Sequence, residues 1–146
     1  MARVTFYVVS NAAPAALLTA ACQLIAQQFN QRRRIVVFNQ DQTQAEAIDE
    51  LLWQIPAERF IPHNLIGEGP LAGTPVLLGW DQPAAELSKQ RNVVFNLRQQ
   101  VPELTRQIQE IIDFVPADEN GKELARERYR HYRQLGMQLA TLPAPE

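Results

Sequence analysis

A single cysteine, Cys22, stands in this chain of 146 residues, so no internal disulfide can form. The two histidines, His63 and His131, leave little for a zinc site without several carboxylate ligands, and no metal centre is expected. No apolar run approaches the ~18 residues needed to cross a bilayer. Met1-Ala2-Arg3 leads into a short Val/Phe/Tyr/Val segment with polar flanks, which is not a signal-peptide core, and a cytoplasmic protein with no membrane association is expected. A basic surplus is missing as well: 14 Lys+Arg against 16 Asp+Glu give a net charge of -2 and a pI near 5.7. That balance disfavours a protein whose main task is gripping a phosphate backbone, so any nucleic-acid role should be indirect. What remains is a soluble globular composition, 46% hydrophobic and 21% charged, in one domain long enough to bury a sizeable core.

Alternating patterns give the organisation. Residues 3–9, rich in β-branched and aromatic side chains, read as a strand, followed at Ser10-Asn11 by a helix cap. Leu17, Leu18, Ala21, Cys22, Leu24, Ile25 and Phe29 then recur at the spacing of one helical face between Pro14 and Asn30. Ile35-Val36-Val37-Phe38 is a continuous apolar run too short for a helix and typical of a strand covered on both faces. Thr43 and Glu46 have capping-box spacing before Ile48, Leu51, Leu52 and Ile55, a second amphipathic helix that Pro56 stops.

Residues 56–83 hold five of the ten prolines and four of the six glycines and read as an ordered loop region. Strands are expected at 76–80 and 93–97, joined by a polar connection over 81–92, and a short helix opens at Pro102 with Leu104 and Ile108. Residues 111–115 read as a last strand, although helix continuing to Ile112 fits nearly as well. A final helix capped within 118–121 runs to about Leu135. The expected architecture is a single α/β domain over residues 1–140 with a mostly parallel sheet flanked by helices, then a frayed tail over 141–146.

Parallel α/β sheets often bind nucleotides at the strand carboxyl ends, yet the phosphate-binding sequences are absent. The glycine cluster over 67–73 lacks the Gly-Lys-Ser/Thr ending of a P-loop, precedes a strand and carries Glu68. The first strand-to-helix turn has no glycine, and no Gly-x-Ser-x-Gly elbow occurs. No cofactor and no catalytic residue are therefore expected. Cys22 on an apolar helix face reads as a buried, inert thiol, and His63 between Pro62 and Asn64 as a loop brace. Asp113, inside an apolar strand, should face solvent or accept bonds from a neighbouring loop. Arg32-Arg33-Arg34, just past a helix C-terminus, read as solvated charges favoured by the helix dipole.

The final helix is more informative. Lys122, Arg126, Arg130 and Arg133 recur at spacings that line one stripe, with Glu123 and Glu127 expected to point elsewhere. Ala125, Tyr129 and Tyr132 lie beside the stripe, so a pocket with an aromatic wall can abut a row of cations. That combination suits an acidic peptide with an apolar anchor; a solvated face laced by i,i+3 Glu–Arg pairs is the other reading. Trp53 and Phe60 bracket a proline break, where large aromatics either cap the core or form an exposed anchor patch.

Thr5-Phe6-Tyr7, Phe60-Ile61-Pro62-His63-Asn64-Leu65, Gly67-Glu68-Gly69-Pro70, Asp113-Phe114-Val115-Pro116 and Leu124-Ala125-Arg126-Glu127-Arg128-Tyr129-Arg130 form a series of blocks, in order and almost end to end. In these blocks the chain resembles the chi subunit family of the bacterial DNA polymerase III holoenzyme, accessory subunits of the clamp loader. The resemblance departs most over 83–90. It implies a mononucleotide-binding-like fold without a phosphate loop and a non-catalytic adaptor that takes part in DNA replication. By the same resemblance the adaptor joins the psi subunit to the acidic C-terminal tail of single-stranded-DNA-binding protein. The tail site carries over to Lys122, Arg126, Tyr129, Arg130 and Val115, where Arg130 supplies charge with planar hydrogen-bonding geometry. The psi interface carries over to Trp53 and Phe60. Some members of the family join a DNA-repair helicase in place of psi. Direct single-stranded nucleic-acid binding is the alternative function, opposed by the acidic balance and by the lack of aromatics interleaved with cations.

Overall fold

The computed structural model describes residues 2–54, 60–68, 74–83, 87, 91–103 and 108–145. Their elements, in chain order, are β1 (Arg3–Val8), α1 (Ala16–Asn30), β2 (Ile35–Phe38), α2 (Gln42–Trp53), β3 (His63–Leu65), β4 (Val76–Gly79), β5 (Val93–Asn96), β6 (Glu110–Val115), α3 (Glu119–Gln134) and β7 (Gln138–Pro143). The strands form one sheet in the order β3-β4-β2-β5-β6-β1-β7, and every pairing is parallel.

Side-chain alternation along the central strands divides the core into two layers. Ile35 and Val37 of β2, Val93 and Phe95 of β5, and Ile112 and Phe114 of β6 point to the side covered by α1 and α2, through Ala21, Leu24, Ile25, Ile48 and Leu52. Val36, Phe38, Val94 and Ile111 point to the side covered by α3, with Val4 and Phe6 of β1 and Ala125 and Tyr132 of the helix. Because the central strands are buried on both faces, their sequences are continuous apolar runs. This is what made them legible without a period-two pattern.

Several local expectations are corrected. Helix α1 begins at Ala16 without a side-chain cap; Asn11 instead accepts from the Ala13 N–H (2.8 Å), a local turn that spends the capping group early. The cap of α2 is Asp41, which accepts from the Gln44 N–H, and Gln44 Oε1 in turn accepts from the Gln40 N–H. Thr43 therefore sits inside the helix. The expected stop at Pro56 and the expected short helix around Leu104 fall outside the described residues, but α2 already ends at Trp53.

Two strands were missed. His63–Leu65, within the presumed loop, pairs with β4 as β3. Gln138–Pro143, partly assigned to a frayed tail, pairs with β1 as β7, and Ala144 continues the ladder by donating to the Val8 carbonyl (2.9 Å). Both are edge strands, and neither carries an uninterrupted apolar run. The arginine run is not simply solvated: Arg33 pairs with Glu110 (2.6 Å), and Arg34 donates to the Thr74 carbonyl (3.1 Å). Cys22 is buried as expected, and burial pushes its thiol up to about 12.

Candidate functional site

Helix α3 is fixed at its start by Asp118, whose carboxylate accepts from the Gly121 N–H at 2.7 Å. A side chain at Gly121 would meet Asp118 and the Pro116 ring at under 3 Å, so glycine is what lets the cap and the end of β6 pack together. From this start Lys122, Ala125, Arg126 and Tyr129 rise along one side of the helix. With Val115 of β6, Phe6 of β1 and Thr141 of β7 they line a hollow of about 170 Å³. Tyr129 leans on Phe6, ring centroids 5.6 Å apart, which makes an aromatic floor.

Four of the five residues expected at the tail site thus meet: Lys122, Arg126, Tyr129 and Val115. Arg130 is exposed one turn on and does not line the hollow. Phe6, Ala125 and Thr141 complete the lining. Ala125 was seen beside the stripe, but Phe6 and Thr141 come from strands remote in sequence, which helix periodicity cannot reveal. The cations are partly engaged: Arg126 pairs with Glu123 (2.8 Å) and Lys122 with Glu119 (3.5 Å). Glu123 therefore does not point away from the stripe. These exposed i,i+3 pairs are each worth a few tenths of a kcal/mol, about the level at which an incoming carboxylate can displace them.

Asp113 is not solvent-facing. It is fully buried beneath α3, accepting from the Tyr132 hydroxyl (2.8 Å), Asn96 Nδ2 (3.1 Å), the Phe114 N–H (2.7 Å) and Arg128 Nε (3.2 Å). Burial raises its carboxyl above the ordinary range against the opposing pull of Arg128 and these donors. Burial, and then the adjacent Asp113 charge, hold the Tyr132 phenol well above its usual value. Arg128 also donates to the carbonyls of Phe114 (2.9 Å) and Gln99 (3.1 Å), so its guanidinium clamps α3 to the carboxyl ends of β5 and β6. The cluster is internally satisfied and orients the helix from below.

The second surface lies toward the other edge of the sheet, where α2 packs on β3. Trp53 and Phe60 are 58% and 48% exposed, and their rings meet in a tilted contact with centroids 5.4 Å apart. They form an exposed patch and do not cap the core. Beneath them His63 is buried, its ring 4.9 Å from Trp53. His63 Nδ1 sits 2.7 Å from the Ile61 carbonyl and Nε2 3.1 Å from an Asp49 oxygen, the bracing role its sequence position suggested.

A profile of the DNA polymerase III chi subunit matches residues 1–140. The chain belongs to the DNA polymerase III chi subunit family. It is 38% identical to the DNA polymerase III subunit chi of Escherichia coli, over 97% of each chain. It is also 34% identical to that of Haemophilus influenzae, over 93% of each, and 32% identical to that of Pseudomonas aeruginosa, over 95% of this chain and 94% of the relative. Family membership therefore extends over both surfaces. Among the described residues no cluster of His, Cys, Asp and Glu could hold a metal, and no helix is long and apolar enough to cross a membrane.

Proposed function

We propose that this chain is a non-catalytic adaptor of the DNA polymerase III holoenzyme, joining the psi subunit to the acidic C-terminal tail of single-stranded-DNA-binding protein during replication. The observation that carries this reading is the hollow at the start of α3. It combines an aromatic floor, an apolar wall at Val115 and two cations at the rim, one of them Arg126, whose side chain is 57% exposed. An apolar terminal residue fits the floor while Arg126 meets the terminal carboxylate and Lys122 and Arg130 meet acidic residues upstream. Trp53 and Phe60 supply the psi contact, consistent with exposed aromatics in mutual contact on a rigid base. The two surfaces lie toward opposite edges of the sheet, so both partners can be held at once.

Fluorescence anisotropy with a labelled tail peptide tests the first half. Arg126→Glu should weaken binding at least tenfold, about 1.4 kcal/mol, and affinity should fall as salt rises from roughly 20 to 300 mM. Full affinity in Arg126→Glu would reject the site. For the second half, Trp53→Ala should cost about 2 kcal/mol in association with psi and leave tail binding intact; undiminished psi binding would remove the patch from the interface.

A further inference from the structure

The two edges of the sheet differ in kind. At one, β3 has three residues and lies against α2. At the other, β7 has six residues, Gln138-Leu139-Ala140-Thr141-Leu142-Pro143, and none carries a charge. All but Leu139 are exposed, including Leu142 at 48%. Long edges are usually guarded by lysine, inward charges or bulges, because their unpaired backbone groups are a template for another strand. Strand β7 has none of these guards before Pro143.

The ladder fixes which groups are offered. Ala144 N–H donates to the Val8 carbonyl, and pairing groups alternate along a parallel strand, so Leu142 and Ala140 also turn their backbone groups to β1. Leu139 and Thr141 therefore present their N–H and C=O on the outer edge. Pro143, the next residue of that parity, has no N–H to offer and ends the donor row. Thr141 belongs at the same time to the lining of the hollow beside Lys122 and Arg126. The open edge and the cationic hollow are thus one continuous surface.

We infer that β7 is a strand-addition site, on which the segment of the acidic tail preceding its terminal residue lies extended and pairs with Leu139 and Thr141 while its end occupies the hollow. This rests on the tail reading above and adds to it a backbone component. Charge selects the occupant: β7 is neutral, but the rim its partner must pass carries Lys122 and Arg126, which favour an acidic strand and disfavour a basic one. Main-chain pairing would supply affinity independent of side-chain identity, and the hollow would set the register.

The test of the edge uses the unmodified protein, and Arg126→Glu serves only to report on the hollow. Amide hydrogen exchange is followed by NMR with and without the tail peptide, and peptide affinity is measured for a series methylated at one backbone nitrogen at a time. Strand addition predicts that exchange at Leu139 and Thr141 slows about tenfold or more in the complex. It also predicts that methylation is harmful at every second peptide position, where it removes a donor aimed at β7. Unchanged exchange at both residues, or tolerance of methylation throughout, overturns the proposal; if Arg126→Glu still weakens binding, the hollow stands without the edge. A peptide that does not bind at all overturns both.

Discussion

Arg126 and Arg128 stand two positions apart on α3, on opposite sides of the helix. The Arg126 side chain is 57% exposed and, among the described residues, pairs with Glu123; that of Arg128 is 8% exposed and tied to Asp113, Phe114 and Gln99. One positive charge is available to a visitor, and the other is committed to holding the helix down. A buried guanidinium would be prohibitive alone, yet with a carboxylate and two carbonyls it becomes a positional lock. The contrast shows that a cation on this helix says nothing of function until its partner is known.

The largest effect should come from the lock. Arg128→Ala leaves Asp113 buried without its counter-charge, and a loss of about 3–5 kcal/mol in urea unfolding is expected; a loss near zero would mean that α3 is held by its apolar contacts alone. Tyr132→Phe removes one donor from the same carboxylate and should cost about 1.5–3 kcal/mol. Arg126→Glu, so damaging to tail binding, should change unfolding stability by about 0.5 kcal/mol or less, since only an exposed helical pair is lost. A large destabilisation there would erase the distinction between the two arginines.

A third arginine should give a small effect of the opposite sign. Arg32 follows the end of α1 with φ of 62°, a left-handed conformation that glycine adopts freely and arginine does not. Arg32→Gly should raise stability by roughly 0.5–1 kcal/mol in the same urea titrations, after allowing for the extra freedom of glycine in the unfolded chain. An unchanged midpoint would mean that the Arg32 side chain makes a compensating contact.

The sequence disclosed what repeats or runs. Ile35–Phe38 and Ile111–Val115 were legible as strands because burial on both faces leaves uninterrupted apolar residues. Helix α3 and its cationic side followed from spacing, and the blocks around His63 and Arg126 carried the family. Strands β3 and β7 stayed hidden because edge strands are half-solvated and owe their conformation to a neighbour. Asp113 was singled out but misplaced, since its four donors come from Asn96, Phe114, Arg128 and Tyr132, three of them distant in sequence. For the same reason Phe6 and Thr141 could not be assigned to the hollow: only the register that sets Phe6 opposite Thr141 brings them together.

The position of β1 between β6 and β7 has a consequence for synthesis. Arg3 is opposite Glu110 on one side and Gln138 on the other, so the first strand made finds its neighbours only when the last part of the chain has appeared. Loop closures of that span are slow, and until they occur β1 leaves Val4 and Phe6 without cover. During translation the emerging chain can therefore gather β2, β4 and β5 under α1 and α2, while the half that contains the hollow forms only once β6, α3 and β7 have emerged. A nascent chain stalled before β7 should accordingly be unable to hold the tail peptide, however well its other half has folded.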